Sequence, residues 1–508
     1  MDYSYPLHCS CLRNGERPAL LGRDGEAVTY AELERRVAAV AAGLRELGLA
    51  GETVATLTAN VPETVELYMA LARAGAVAVP LNTRLGREET RFILEDCGAG
   101  AIVADDRFLV EATELAAELQ GLREPLPVRP PPDGGPSLVG LRGTDPGPRP
   151  GVDDGDERGA ATITYTSGTT GFPKGVVRSH RANAWNAVNS ALGAPRSRED
   201  VELFNLPAFG IGFLHFAMPT LLGGGLLVLD DAFDPARAWE LLDRHRVTRT
   251  FLAPTMISAM LAVPDHERWG LEALEEIYTA YAFPSRLREA ALSRFGPRFV
   301  YMYGLTEAQL TCATAADFVA DPSNVGRSMG VSTVAVLGAD GAEVEIGEIG
   351  EIAFAGPSVM SGYHARPEAT AEALTGGWLR TGDLGRLDAG GDLHYVGRSK
   401  EMIKTGGFSV DPVEVENALL DHEGVAEAAV VGVEDEHWGE QVVAIVALRP
   451  GAEPDDEELL GACRQRIASY KVPKRLIRIP ELPKNPTGKV ERGALRKRAA
   501  GEAPSGAA

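Results

Sequence analysis

Cysteine is scarce in this 508-residue sequence: only Cys9, Cys11, Cys97, Cys312 and Cys463 occur, widely scattered. An odd, sparse set points to reduced thiols rather than a disulfide framework. Cys9 and Cys11 flank one serine, but no second Cys or His pair at zinc spacing answers them, so no metal site is expected there. Excess positive charge is also missing, with 50 Lys and Arg against 72 Asp and Glu, a formal charge of −22. A polyanion needs a basic face, so no nucleic-acid partner is expected. Long apolar runs are lacking too. The most apolar stretch, Leu221 to Leu229, is far too short to span a bilayer. The first residues lack the basic start and apolar run of a signal peptide. No membrane association is expected, and the cytoplasm is the expected location. Apolar content of 44% and charged content of 24% are ordinary for a globular protein. The length suits about two to four domains.

Thr29 to Leu47 predicts a helix, with Thr29 as N-cap, Glu32 completing a capping box and Gly48 as the stop. Short β-prone runs then alternate with helical ones, through VATLTA, ETVELYMALARAG and AVAVPL. This rhythm predicts α/β architecture, a parallel sheet with helices on its faces. It recurs at Thr250 to Ala262 and near Phe299 to Tyr303. Residues 121–158 are rich in Pro, Gly and Asp and read as a long surface connection with one strand inside. From about 330 to 395, short runs ended by Gly and Asp predict an antiparallel, β-rich subdomain. A second small unit starts near Arg398, with a helix at Asp411 to Leu420, strands at AEAAVVGV and QVVAIVAL, and a helix at Asp456 to Ala468. The last residues, AAGEAPSGAA, read as a disordered tail over 499–508.

The segment TYTSGTTGFPKGVV, Thr164 to Val177, carries the most chemistry. A β-prone run leads into a Ser/Thr/Gly loop, then Lys174, then a second apolar run. Gly168, Gly171 and Gly175 let backbone approach a ligand closely. Thr166, Ser167, Thr169 and Thr170 offer hydroxyls and Lys174 a charge, together an anion cradle. It is not a Walker A loop, because Pro173 precedes the lysine and Gly175 follows it. The run resembles the signature loop of the acyl-adenylate-forming superfamily, which includes acyl-CoA synthetases, peptide-synthetase adenylation domains and firefly luciferase. Further motifs extend the resemblance over nearly the whole chain, closest to acyl- or aryl-CoA ligases.

The resemblance implies roles for particular residues. In Tyr303-Gly304-Leu305-Thr306-Glu307, the tyrosine stacks near adenine, Thr306 contacts the α-phosphate and Glu307 binds Mg²⁺. Gly347 to Glu351 and Gly362-Tyr363 resemble the next block. In WLRTGD, Asp383 grips both ribose hydroxyls, a task that suits a carboxylate. Arg398 reaches the ribose or phosphate, and Lys400 is the hinge residue. Gly406 and Gly407 line a tunnel for a thiol arm. In PKNPTGK, Lys489 bridges the substrate carboxylate and the α-phosphate. The implied architecture is a large N-terminal domain over 1–397, a hinge at 398–400 and a small mobile α+β domain over 401–498. The implied activity is ATP-dependent ligation of a small-molecule acid to coenzyme A through an acyl-AMP, with release of pyrophosphate and then AMP.

The sequence departs from the family pattern around the acid. In LPAFGIGFLH, Gly210 follows Phe209 where many relatives have a histidine, and His215 is the nearest substitute. No aspartate lies between Leu206 and Pro219 to pair with an α-ammonium, which argues against an α-amino acid. Tyr281, Ala282 and Phe283 replace a small-residue run and are expected to put bulk beside the acid, favouring a compact aryl or short-chain substrate. No carrier domain follows Lys489, so the expected acceptor is CoA, with a carrier protein in trans, an amine or an inorganic nucleophile such as nitrite as alternatives. A non-catalytic nucleotide-binding protein is the remaining alternative, opposed by the retention of Lys174, Glu307, Asp383, Arg398 and Lys489. The expected assembly is a monomer or homodimer.

Overall fold

The computed structural model describes residues 1–132, 134–147, 156–166, 173–280, 283–484 and 490–501. The α/β rhythm folds into two large sheets and one small one. In the first, parallel strands Pro18–Leu21, Leu226–Leu229, Val201–Phe204, Arg249–Phe251, Glu276–Thr279 and Phe299–Gly304 lie side by side. At Phe299–Gly304 the direction changes, and antiparallel strands from Gln309–Ala313 to Leu393–Arg398 continue the same sheet. The antiparallel, β-rich region expected near 330–395 is therefore joined edge-on to the parallel part. The second sheet has seven strands, with Thr53–Leu57 and Val77–Pro80 at its centre and the hairpin of Ala160–Thr166 with Lys174–Ser179 at one side.

The helix Tyr30–Glu46 is capped by Thr29, whose hydroxyl accepts from the Glu32 amide at 3.2 Å. The Glu32 carboxylate turns instead to Arg35 and Arg36, because two guanidiniums a turn away compete for it. Among the described residues of the 121–158 connection there is one short strand, Leu126–Pro127.

The C-terminal sheet pairs Val425–Asp435 with Gly439–Leu448, Val431 opposite Val443. Val430, Val442, Ala444 and Val446 pack on one face beneath the helix Pro412–Leu420. Ala429, Val431, Val443 and Ile445 pack on the other with Leu495 and Ala499. Burial of Ala499 carries the last helix to Ala500, where Gly501 ends it in the left-handed conformation, so the chain is helical past the expected boundary at 498. The helix expected to reach Ala468 stops at Arg464. No helix among the described residues is long and apolar enough to cross a membrane.

Candidate active site

The site forms where the first sheet changes direction. Tyr303 lies at the end of Phe299–Gly304, Asp383 lies in Trp378–Leu387, and Arg398 ends Leu393–Arg398. The last two strands pair with Asp383 directly opposite Arg398. The Tyr303 hydroxyl donates to Asp383 Oδ2 at 2.6 Å, and Arg398 Nε donates to Oδ1 at 3.1 Å. Burial pushes the Asp383 carboxyl above its ordinary range, while Tyr303 and Arg398 pull it back down. Burial, with Asp383 beside it, holds the Tyr303 phenol protonated. A carboxylate offers about four acceptor positions, so two stay open, enough for a vicinal diol.

The turn before Asp383 is fixed by Glu351, from the Gly347 to Glu351 block. Its Oε1 accepts from the Gly382 amide at 2.9 Å and its Oε2 from Arg380 Nε at 2.8 Å. Gly382 has φ +75°, where a side chain would be strained.

Lys174 begins its strand opposite Thr166, whose hydroxyl donates to the Lys174 carbonyl at 3.5 Å. Gly175 has to be glycine, since a Cβ there would sit 2.7 Å from Ile163 Cγ2. Lys174 Nζ lies 5.5 Å from the centre of the Tyr363 ring, within cation–π range. The Tyr363 hydroxyl donates to Glu307 Oε1 at 2.8 Å. One tyrosine thus touches a cation on its face and a carboxylate at its tip. Among the described residues no cluster of three or more His, Cys, Asp or Glu forms a metal cage. A single carboxylate is nonetheless the donor set Mg²⁺ uses beside substrate phosphates.

Ser167, Gly168, Thr169, Thr170, Gly171, Tyr281, Ala282 and Lys489 lie outside the described residues. Lys400 is exposed in the turn after Arg398. Gly406 and Gly407, at φ +57° and +82°, form the two-residue turn of the hairpin Ile403–Thr405 with Phe408–Val410. Two successive positive φ values explain the glycine pair by turn geometry alone. Phe209 and Gly210 line a cavity with Tyr3, Tyr68, Phe213 and Leu214. Phe283 goes elsewhere. Its ring packs edge-on to Phe299 and Phe318 in a separate core with Trp239 and Ile257. The ring is held there by the strand Phe299–Gly304 and by the helices that carry Phe318, Trp239 and Ile257.

Arg178 and Asn186, which hydrogen-bond to each other beside the Thr306 carbonyl, are the residues that motif reading passed over in this region. The available signal for Arg178 was a lone charge inside the apolar run GVVRSH.

The AMP-binding enzyme family matches residues 8–364, and the AMP-binding enzyme C-terminal domain matches residues 414–489. A feruloyl-CoA synthase from Amycolatopsis sp is 38% identical over 505 residues, spanning 97% of this chain and 96% of its own. An o-succinylbenzoate CoA synthetase from Bacillus subtilis, solved with its acyl-adenylate intermediate, superposes at TM-score 0.84 with 30% identity, covering 97% of each chain. An amide bond synthetase from Marinactinospora thermotolerans superposes at TM-score 0.86 with 29% identity, covering 97% of this chain and 99% of its own. With family matches over residues 8–364 and 414–489 and a relative 38% identical across 97% of this chain, the protein belongs to the AMP-binding enzyme family.

Proposed function

We propose that this protein is an AMP-forming acid–CoA ligase in which Asp383 binds the ATP ribose and Lys174 and Glu307 face the phosphates. The observation that carries this reading is the buried Asp383 carboxylate, bonded to Tyr303 and Arg398 with acceptor capacity left for a diol. Arg398 and the neutral phenol of Tyr303 orient the carboxylate. Lys174, steered by the Tyr363 ring, meets the phosphates electrostatically. Glu307, oriented by the Tyr363 hydroxyl, would hold Mg²⁺, which neutralises phosphate charge that repels an incoming carboxylate. The acid's carboxylate oxygen attacks the α-phosphorus, the bond to the bridging oxygen breaks, and pyrophosphate departs. Thr306 and Lys489 contact the α-phosphate in this step. A thiol of CoA then attacks the acyl carbon and AMP departs. Lys489 belongs to the unit after the hinge at Lys400, so rotation of that unit withdraws it and brings Gly406 and Gly407 to the thiol path.

The acid is a compact aryl acid. The feruloyl-CoA and o-succinylbenzoate relatives are named for aryl acyl groups. A second reading, transfer to an amine in place of CoA, is supported by the likeness to an amide bond synthetase. Acid-dependent pyrophosphate release, assayed with and without CoA, tests both. Cinnamate or benzoate analogues should drive release, and CoA should convert the adenylate to thioester. Turnover of palmitate with none of the aryl acids would overturn the substrate class. An adenylate that yields amide but no thioester would favour the second reading.

A further inference from the structure

Arg178 lies four residues after Lys174 on the same strand, with its side chain fully buried. Its guanidinium meets five acceptors drawn from separate segments. Nε donates to Asn183 Oδ1 at 2.9 Å and Nη1 to the Thr306 carbonyl at 3.0 Å. Nη2 faces the Ala182 carbonyl at 3.2 Å, Asn186 Oδ1 at 3.1 Å and the Ser358 carbonyl at 3.0 Å. None of the five is a carboxylate. A buried charge held only by neutral groups is expensive. Burial accordingly pushes the guanidinium down to about 10, although the field of Glu307 opposes this. An apolar residue would fill a strand position at lower cost, so the charge calls for an explanation in function.

The network continues toward Gly304. Arginine only donates, so the Asn186 atom facing it is the amide oxygen. That same oxygen lies 3.2 Å from His215 Nε2, which must therefore carry the proton. Burial holds His215 neutral, far below its ordinary range. His215 Cε1 in turn sits 3.6 Å from where a Gly304 Cβ would be. The turn that carries Thr306 and Glu307 is thus held at two points. Arg178 grips its Thr306 carbonyl, and His215, oriented through Asn186, packs against Gly304.

We propose that Arg178 is a positioning residue for adenylation, locking the Tyr303 to Glu307 turn in one placement relative to the Lys174 strand. This inference rests on the adenylation reading above. A misplaced turn would bind ATP and acid nearly as well but align them poorly, so the loss should fall on turnover.

The test compares wild-type protein with Arg178→Met and Arg178→Lys by initial rates of acid-dependent pyrophosphate release. For Arg178→Met, folded by circular dichroism at the assay temperature, kcat should fall about 30- to 100-fold with both KM values within about threefold. Arg178→Lys keeps the charge but not the five-point fork, so it should recover only part of that loss. A kcat within threefold of wild type in folded Arg178→Met would overturn the proposal. So would a loss of rate that merely follows the folded fraction. If Arg178→Met fails to fold, Arg178→Lys decides: an intact kcat refutes the positioning role, and a reduced kcat at unchanged KM supports it. Wild-type protein that released no pyrophosphate with any acid would instead break the adenylation reading itself.

Discussion

The two ends of the candidate site are built differently. At the end proposed for the ribose, Tyr303, Asp383 and Arg398 bond directly to one another across neighbouring strands. At the end proposed for the phosphates, Lys174 and Glu307 meet only through Tyr363, one at its ring and the other at its hydroxyl. Direct pairing fixes a carboxylate at the expense of some of its acceptor capacity, which a diol can tolerate. An ion pair between Lys174 and Glu307 would cancel the two charges that a polyphosphate and its Mg²⁺ each need. An aromatic spacer places both groups without neutralising either. The end proposed for the ribose is thus a pre-bonded socket, and the end proposed for the phosphates a set of spaced charges.

The largest effect is expected at Lys489, proposed above to contact the α-phosphate. Lys489→Ala should lower acyl-AMP formation about 10²- to 10³-fold, as expected for removal of one transition-state donor. Thioester formation from supplied acyl-AMP and CoA should stay largely intact. Equal loss in both assays, from folded protein, would show that Lys489 is not confined to the first step. Asp383→Ala comes next. Loss of a charge-assisted acceptor costs about 1.5–3 kcal/mol, so ATP binding should weaken roughly tenfold or more. Unchanged nucleotide affinity by calorimetry would refute the socket. Tyr363→Phe keeps the ring beside Lys174 and removes only the hydroxyl bonded to Glu307. Its cost is about 1.5 kcal/mol, the low end for a bond to a charged group, a roughly tenfold rise in the Mg²⁺ needed for half-maximal pyrophosphate release. If Asp383→Ala moved that Mg²⁺ requirement more than Tyr363→Phe, the division into two ends would be wrong.

Sequence reading reached some of these residues and not others, for physical reasons. Lys174, Glu307, Asp383 and Arg398 lie in short segments that resemble family motifs, so it is that resemblance which singles them out. The α/β rhythm and the β-rich region were legible from periodicity. Phe283 was not, because the ring's direction is decided by Phe299 and Phe318, far from it in the chain. Arg178 was missed for a similar reason: its acceptors span Ala182 to Ser358. The helix that runs to Ala500 escaped notice because burial of Ala499, not a local signal, sustains it. Thr29 showed the reverse: it caps the helix as its sequence position implies, while a pair of nearby arginines redirects the Glu32 side chain from the capping box.

The smallest expected effect concerns the carboxylate that crowds the socket from the C-terminal unit. Asp411 caps the helix Pro412–Leu420, its Oδ1 accepting from the Val413 amide at 3.1 Å. Its Cγ lies 3.1 Å from the Cβ position of Gly397, next to Arg398. Burial pushes its carboxyl up to about 6 from 3.8, with Glu416 and Glu414 adding to the rise and the Val413 amide and Arg492 opposing it. A folded-state value above the unfolded one means that folding favours the protonated acid. That contribution is fully present below about pH 4 and is lost as pH rises through 6. Asparagine caps a helix as well as aspartate does and carries no charge. Asp411→Asn should therefore be more stable than wild type at pH 8 and no more stable at pH 4. The two-unit shift bounds the gain at about 3 kcal/mol, and partial exposure reduces it to about 1 kcal/mol. In a chain of this size that is a rise in Tm of about 1 °C, readable by calorimetry at the two pH values. A gain that is larger at pH 4 would reverse the sign and show that the Asp411 carboxylate is well solvated. A gain at pH 8 would show that the pre-bonded end carries more buried negative charge than Arg398 and Arg492 offset, a cost the spaced phosphate end avoids.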